Sequence, residues 1–165
     1  MALLTDAEGA DLAADSGLPI VIVEAPREAL GALSSWVYHT EELSPLLFGI
    51  TGTNGKTSVS YLLHAIAEQL GLVAGLSTTA ERKIGALTVT STLTTPEATE
   101  IHGLLARMRE SEVRAVVLEV SAQALTRNRV DGLLFDVVGF LNLSHDHLDD
   151  YVDMETYLAA KVELF

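Results

Sequence analysis

The sequence predicts an α/β fold with a doubly wound, mostly parallel sheet and a phosphate-binding loop. Continuous apolar runs of strand length alternate with helical patterns along the chain, and a glycine-rich turn at residues 51–57 joins one such strand to one such helix. Because parallel strands need long crossover connections, this alternation is typical of a sheet with helices on both faces. The 165 residues are enough for one domain of ordinary size.

Hydrophobic periodicity gives the order of the elements. Strands are predicted at residues 18–23, 46–50, 72–76, 113–120 and 135–141, with a β-ribbon at 83–90 that turns near Gly85. Helices are predicted at residues 26–37, 59–70, 96–108 and 154–165. Pro26 and Pro96 suit a first helical turn, and Gly71 suits a helix stop. The chain stops within the last predicted helix, so we expect a fragment of a longer protein.

Composition narrows the classes of function. The formal net charge is −13 with only ten Lys and Arg, which argues against nucleic-acid binding because phosphate backbones are gripped by clustered cations. A solvated acidic surface accounts for the charge. The absence of cysteine excludes disulfides, thiolate zinc sites and cysteine nucleophiles. No secretory signal and no membrane span are predicted, and a cytoplasmic location is expected.

Residues 51–57 have the composition of a nucleotide-binding loop. Between a strand and a helix, such a loop surrounds phosphates with backbone N–H groups and a helix N-terminus. In loops of this kind the lysine neutralises the β- and γ-phosphates, and the hydroxyl after it ligates Mg²⁺. The loop is a variant of the strict pattern, which has glycine where this sequence has Ile50. The residues predicted to bind ATP are Gly52, Thr53, Asn54, Gly55, Lys56 and Thr57.

Polar side chains follow two later strands. Glu119 ends the strand at 113–120, at the edge where open α/β sheets bind ligands, so it is a candidate magnesium ligand; the alternative is an ordinary surface acid. Residues 142–150 hold two histidines and three aspartates. A magnesium or substrate role is favoured there over zinc, and the alternative is a polar loop that caps the next helix. Composition alone makes Lys161 an ordinary lysine that extends to solvent.

Taken together, the motifs resemble those of the Mur ligases, and among them most closely the MurE type. The matching segments are residues 49–57, 94–97, 119–121, 142–144, 146–149 and 157–161, in the family's order. The resemblance implies an ATP-dependent amide ligase of peptidoglycan synthesis that works through an acyl phosphate. The substrates implied are UDP-N-acetylmuramoyl-L-alanyl-D-glutamate and a third amino acid, diaminopimelate or lysine.

The same resemblance implies residue roles. Lys56, Glu119, His147 and Lys161 would be catalytic, and Thr57, Glu119, His147 and Lys161 would serve Mg²⁺. Lys161 matches a lysine that the family carbamylates, which converts a cation into a carboxylate-like metal ligand. The substrate-binding residues implied are Thr94, Thr95, Ser121 and Arg129, the last by pairing with anionic groups.

The family pattern also implies a domain division. Residues 1–44 would be the end of an N-terminal UDP-binding domain, and residues 45–165 would be the first part of the central ATP-binding domain. The C-terminal domain that binds the amino acid would be absent, so the isolated chain is expected to be inactive.

Two segments depart from the usual pattern. Ala122-Gln123 stands where Ser-His is usual, and Asp150-Tyr151-Val152 stands where Tyr-His-Gly is usual. One alternative is therefore a non-catalytic nucleotide-binding paralogue of the same fold. Another is a ligase for a folylpolyglutamate or cyanophycin type of substrate, against which Thr94-Thr95-Pro96 and the region of Arg129 argue.

Overall fold

The computed structural model describes residues 1–41, 45–146 and 150–165. In chain order the described elements are β1 Leu3–Thr5, α1 Ala7–Leu12, a 3₁₀ turn Ala14–Ser16, β2 Ile20–Ile22, α2 Pro26–Tyr38, β3 Leu46–Thr51, α3 Lys56–Gln69, β4 Ala74–Ser77, β5 Glu81–Ile84, β6 Leu87–Thr90, α4 Ala98–Glu110, β7 Ala115–Glu119, α5 Ala122–Thr126, β8 Val137–Phe140 and α6 Met154–Val162. None of the helices among these residues is long and apolar enough to cross a membrane.

Six strands form one sheet in the order β6-β5-β4-β7-β3-β8. Strands β4, β7, β3 and β8 are parallel, and β5 and β6 add an antiparallel ribbon at one edge. Gly85 lies at the ribbon's turn with φ +55°, a left-handed conformation that glycine adopts without strain. The predicted mostly parallel sheet and its ribbon are both confirmed.

Helices cover both faces of the sheet, as a doubly wound fold requires. Strand β7 is buried at all five positions and is the centre of the core. Its Val116 and Leu118 pack in one cluster with residues of α4, whereas Val117 packs in another with apolar residues of α3. Because successive side chains of a strand point to opposite faces, this alternation places α3 and α4 on opposite sides. The carboxyl ends of β3, β7 and β8 are thereby left open at one edge.

The segment before β3 packs on the same core through α2. The short strands β1 and β2 pair in parallel as a separate two-stranded sheet, which the periodicity did not predict. Helix α2 lies against α4. Gly31 of α2 also meets the backbone of Asp131, so closely that a Cβ added to Gly31 would lie 2.4 Å from the carbonyl oxygen of Asp131. Buried His102 of α4 makes a contact of 2.5 Å through Nδ1 with Thr40 Oγ1, just beyond α2.

Several predicted boundaries need correction. Pro96 precedes its helix and does not lie in the first turn, since Glu97 is extended at φ −65° and ψ 155° and α4 begins at Ala98. The last helix ends at Val162, followed by a turn. Helix α3 begins at Lys56, earlier than its periodicity indicated. Gly71 does stop this helix, with φ +79° and its N–H donating to Glu68 O.

Candidate active site

The phosphate loop connects β3 to α3 at the open edge of the sheet. Gly52 has φ +149° and Gly55 has φ +84°, values that side chains with a Cβ rarely adopt. Gly55 stands at the N-cap of α3, so the first N–H groups of that helix, which lack intrahelical acceptors, face the loop's concave side. These N–H groups and the helix dipole provide an anion site of the kind that the sequence predicted.

Lys56 is folded over this loop. Its Nζ donates to the carbonyl oxygens of Gly52 and Thr53, both at 2.9 Å. Burial lowers the pKa of Lys56, and the negative charges of Glu119 and Asp146 partly oppose this shift. A cation in this position is available to neutralise phosphate oxygens at the helix N-terminus.

Lys161 reaches the same loop from α6. Its side chain is 1% exposed, its Nζ donates to Gly52 O at 3.1 Å, and it lies 4.4 Å from the ring centroid of Tyr157. Burial is the main cause, and with the positive charge of Lys56 it lowers the pKa of Lys161 to about 8, while the charge of Asp146 opposes the shift. The solvent-extended lysine that composition suggested is therefore wrong, and the amine is buried beside the loop.

Glu119 ends β7 beside the loop and is 1% exposed. Its Oε2 accepts a hydrogen bond from Thr79 Oγ1 at 3.1 Å, and Thr79 Oγ1 also contacts Thr94 Oγ1 at 3.0 Å. Within the described part of the chain, Glu119 Oε1 is buried without a hydrogen-bond partner. Because Glu119 is buried, the alternative of an ordinary surface acid is excluded. A buried carboxylate oxygen without a hydrogen-bond donor is energetically costly, and a bound cation would offset that cost.

The residues at this sheet edge suit a magnesium ion better than a metal that is held entirely by protein side chains. No group of three or more His, Cys, Asp or Glu able to hold a metal occurs among residues 1–41, 45–146 and 150–165. Mg²⁺ commonly takes only one or two carboxylates and fills its remaining positions with water and phosphate oxygens. Glu119 with its open oxygen, and Thr57 in the first turn of α3, suit that pattern. His147 lies outside the described residues.

The predicted substrate residues form a second group beside Glu119. Thr95 Oγ1 donates to Glu119 O at 2.9 Å and accepts from Ser121 N at 3.1 Å. Arg129, whose side chain is 10% exposed, donates to Thr95 O at 3.3 Å and pairs with Glu97 Oε1 at 2.8 Å. The other oxygen of Glu97 pairs with Arg27 of α2 at 2.9 Å. Arg129 is thus already paired with a carboxylate.

The two segments that depart from the family pattern contact each other. Gln123 Nε2 donates to Asp150 Oδ2, and Tyr151 is buried against Tyr157 with ring centroids 5.1 Å apart. Beside them lies a cavity of about 20 Å³, room for one water molecule. Its lining comprises Lys56, Ser121, Ala122, Gln123, Tyr151, Tyr157 and Lys161.

The structure brings Lys56, Thr57, Glu119 and Lys161 to one sheet edge, with Thr94, Thr95, Ser121 and Arg129 beside it. Sequence reasoning missed Thr79, which holds Glu119, and it assigned no partner to the carboxylate of Glu97, which lies in the matching segment 94–97. Neither has a local signal, because each acts on a residue more than 20 positions away.

The sequence was compared with known proteins. A family model described as the Mur ligase middle domain matches residues 50–165. The chain belongs to the Mur ligase family. Its relatives include the UDP-N-acetylmuramyl-tripeptide synthetase of Leifsonia xyli, 67% identical over 165 residues, and the UDP-N-acetylmuramoyl-L-alanyl-D-glutamate–2,6-diaminopimelate ligase of Streptomyces avermitilis, 45% identical over 165 residues.

Each of these two Mur ligase matches covers 100% of this chain and 32% of the relative, so the chain spans about a third of their length. A solved UDP-N-acetylmuramoyl-L-alanyl-D-glutamate–2,6-diaminopimelate ligase superposes with a TM-score of 0.76 at 24% identity, covering 88% of this chain and 30% of that one. E. coli FolC in complex with DHPP and ADP superposes with a TM-score of 0.59 at 19% identity, covering 84% and 38%. These two likenesses support the Mur ligase fold.

Proposed function

We propose that this chain is the nucleotide-binding part of an ATP-dependent amide ligase that adds the third amino acid to UDP-N-acetylmuramoyl-L-alanyl-D-glutamate. The observation that carries the proposal is the convergence of Lys56, Lys161 and Glu119 on the phosphate loop. Both lysines donate to Gly52 O, and Glu119 holds a buried oxygen without a hydrogen-bond partner in the described part of the chain. The names of the relatives support the choice of substrate.

The chemistry needs charge neutralisation more than covalent help from the protein. A substrate carboxylate attacks the γ-phosphorus of ATP, ADP leaves, and an amino group then displaces phosphate from the acyl phosphate to form the amide. The N–H groups at the start of α3 and the ammonium of Lys56 stabilise the negative charge that spreads over the transferring phosphoryl group. A magnesium ion held by Thr57, Glu119 and His147 would supply further positive charge at the phosphates.

We further propose that Lys161 is carbamylated. The neutral amine nitrogen bonds to the carbon of CO₂ and releases a proton, which leaves a carbamate anion in place of an ammonium. A pKa of about 8 supports this, because an appreciable fraction of the amine is neutral near pH 7.5. The carbamate would lie beside Glu119 as a second anionic ligand for magnesium.

The substrate side of the proposal rests on Thr94, Thr95, Ser121 and Arg129. Thr95 is buried and bonds through Oγ1 to Glu119 O and Ser121 N, so it would fix this end of β7, while the partly exposed Thr94 and Ser121 would present hydroxyl groups to the UDP-muramoyl peptide. The incoming amino acid is diaminopimelate or lysine. ATP and the UDP-linked substrate would place the enzyme in the cytoplasm, in peptidoglycan synthesis and hence in cell shape and division. Residues 1–44 would end the UDP-binding domain and 45–165 would begin the central domain.

A non-catalytic nucleotide-binding paralogue is the second candidate. The contact between Gln123 and Asp150 favours it, because both residues lie in segments that depart from the family pattern and beside Lys161. Such a protein would keep the phosphate loop but would not activate a carboxylate.

Assays of the full-length protein that contains this chain distinguish the ligase from the non-catalytic paralogue. We expect ADP release that depends on both the UDP-muramoyl dipeptide and diaminopimelate or lysine, and loss of nucleotide binding in Lys56→Ala. Nucleotide binding without ADP release for any amino acid would favour the paralogue. Unchanged nucleotide affinity in Lys56→Ala would instead mean that the loop is not the nucleotide site.

A further inference from the structure

The segment after β8 holds the phosphate loop by hydrogen bonds to Thr51, Thr53 and Asn54. Leu141 N donates to Thr51 O at 3.0 Å, which continues the β3–β8 pairing by one step beyond the strands. Thr53 N then donates to Asn142 O at 3.0 Å. The close approach requires glycine at 52, since a Cβ there would lie 3.0 Å from Leu141 Cβ and 3.3 Å from Asn142 N.

The Asn142 side chain extends this pairing where the backbones diverge. Its Oδ1 accepts from Asn54 N at 2.9 Å, and its Nδ2 donates to Asn54 O at 3.0 Å. A primary amide carries one acceptor and donors on adjacent atoms, so it can satisfy both peptide groups of one residue, as a neighbouring strand would. A carboxylate in the same place would accept from the N–H but would face the carbonyl oxygen without a proton to donate.

A second pair of residues fixes the neighbouring turn of the loop. Thr53, 5% exposed, accepts from Ser144 N through Oγ1 at 3.0 Å, and its hydroxyl lies 3.4 Å from Tyr157 OH. Asn54 Nδ2 donates to Ser144 Oγ at 3.2 Å. Residues 142–144 therefore bind both residues at the tip of the loop.

This arrangement divides the N–H groups of the loop into two sets. Those of Thr53 and Asn54 already donate to Asn142 O and Asn142 Oδ1. The N–H groups at the start of α3 have no intrahelical acceptor and are the ones left for phosphate oxygens. The loop's shape is therefore fixed before a nucleotide arrives, by contacts that no phosphate makes.

We propose that Asn142 is a positioning residue for nucleotide binding, which holds the phosphate loop in its binding conformation by pairing with the peptide groups of Asn54. The proposal rests on the proposed function, because it assumes that the loop binds a nucleoside triphosphate. It assigns Asn142 no contact with the nucleotide.

The test compares Asn142→Asp, Asn142→Ala and Ser144→Ala in the full-length protein, by calorimetric titration with Mg-ATP. Asn142→Asp keeps the size and the acceptor but loses the donor to Asn54 O, and we expect both Asn142 variants to raise the Kd at least tenfold. Ser144→Ala removes the hydroxyl that accepts from Asn54 Nδ2 and keeps the pairing of Asn142 with the Asn54 backbone, so its Kd should stay within about threefold of wild type.

Two further readouts separate positioning from general damage. Hydrogen exchange of the Thr53 and Asn54 amides should accelerate in the Asn142 variants without nucleotide, while the amides of β7 stay protected. In steady-state kinetics the KM for ATP should rise with the KM for the UDP-linked substrate unchanged. A variant that fails to fold would also lose the hydrogen-exchange protection of the β7 amides. If Asn142→Ala does so, the Kd of Asn142→Asp, which is closer in shape to asparagine, decides whether Asn142 has the positioning role.

The outcomes keep this proposal apart from the proposed function. If wild type binds Mg-ATP and both Asn142 variants bind it equally well, the positioning role is overturned and the nucleotide site stands. Equal losses in the Asn142 variants and Ser144→Ala would also overturn it, because the pairing with the Asn54 backbone would then not be the cause. If wild type itself fails to bind Mg-ATP, the proposed function fails first.

Discussion

The ammonium groups of Lys56 and Lys161 share one acceptor, the carbonyl oxygen of Gly52, at 2.9 and 3.1 Å. The two residues come from different helices and are held in a partly dry environment, so each disfavours the charge of the other. Burial is the larger cause, and together with the charge of Lys56 it lowers the pKa of Lys161 to about 8. We therefore expect Lys161 to titrate well below the ordinary range of a lysine.

The titration of Lys161 should depend on Lys56. In wild type, NMR of ¹³Cε-labelled lysine in CO₂-free buffer should show a midpoint near pH 8 for Lys161, far below the ordinary 10.5. Lys56→Ala removes a neighbouring positive charge, so the midpoint should rise, yet stay below 10.5 because burial remains. A wild-type midpoint near 10.5 would contradict the buried position of this amine.

Glu97 should contribute more to stability than its exposed partner Arg27. Glu97→Ala leaves Arg129, 10% exposed, without its carboxylate, and should cost about 2 kcal/mol in the free energy of unfolding. Arg27 is 55% exposed, so Arg27→Ala should cost only about 0.5 kcal/mol. Urea unfolding measures both. Glu97 makes no side-chain cap to α4, so the loss would not come from uncapping the helix. Equal losses of unfolding free energy in the two variants would show that the bond between Glu97 and Arg129 does not add to stability beyond the bond between Glu97 and Arg27.

Acid should destabilise the fold through buried His102. Its Nε2 lies 3.1 Å from Asp131 O, which can only accept, so Nε2 carries the proton and Nδ1 accepts from Thr40. Burial lowers the pKa of His102, and the bond to Asp131 and the charge of Glu41 oppose this. Because the folded state favours the neutral ring, stability should be full above about pH 6.5 and should fall as the pH drops below it.

Urea midpoints at pH 7.5 and 5.5 measure this effect. Burial also lowers the pKa of His64, which adds a change of the same sign. His102→Gln should therefore reduce the drop between the two pH values without abolishing it. A drop as large as that of wild type would exclude His102 as its source.

Gly31 of α2 and Gly103 of α4 provide a matched pair of helix glycines with different neighbours. A Cβ at Gly31 would lie 2.4 Å from the backbone oxygen of Asp131, which cannot move away independently, so Gly31→Ala should cost about 1–3 kcal/mol. At Gly103 the nearest atom is Cζ of Tyr38, at 3.3 Å, at the end of a side chain that can turn. Alanine gains about 1 kcal/mol over glycine inside a helix, so Gly103→Ala should be close to neutral. Thermal unfolding compares them, and a neutral Gly31→Ala would argue against the close contact.

The sheet and its helices follow from local patterns. Residues 115–118 form a continuous apolar run within the predicted strand at 113–120, and β7 is buried at every position. The spacing of apolar residues predicted helix α3 but not its buried side, because Leu62 and Ile66 are exposed whereas Ser60, His64 and Ala67 are buried. Gly71 ends this helix. Helix α5 was not predicted, since its five residues make less than two turns and show no period. Pro96 was placed inside a helix because proline suits a first turn, but the extended backbone at Glu97 delays the helix.

The candidate site was only partly predictable from local sequence. The phosphate loop has its own signature, and Glu119 was suggested by its place at a strand end. Lys161 is different, because its burial depends on a carbonyl 109 residues away along the chain. Only the resemblance to a family pointed to this residue. The pairing of Glu97 with both Arg27 and Arg129 likewise depends on how α2 meets α4, which no local pattern records.

The packing of α2 on α4 limits how this protein can be shortened. A version that begins at Pro45 would remove the Thr40 hydroxyl from His102 and the Arg27 guanidinium from Glu97, and would expose the face of α4 that α2 covers. The predicted domain boundary between residues 44 and 45 is therefore a poor place to cut. Truncated versions made for crystallisation or ligand screening should keep the chain from Pro26 onward.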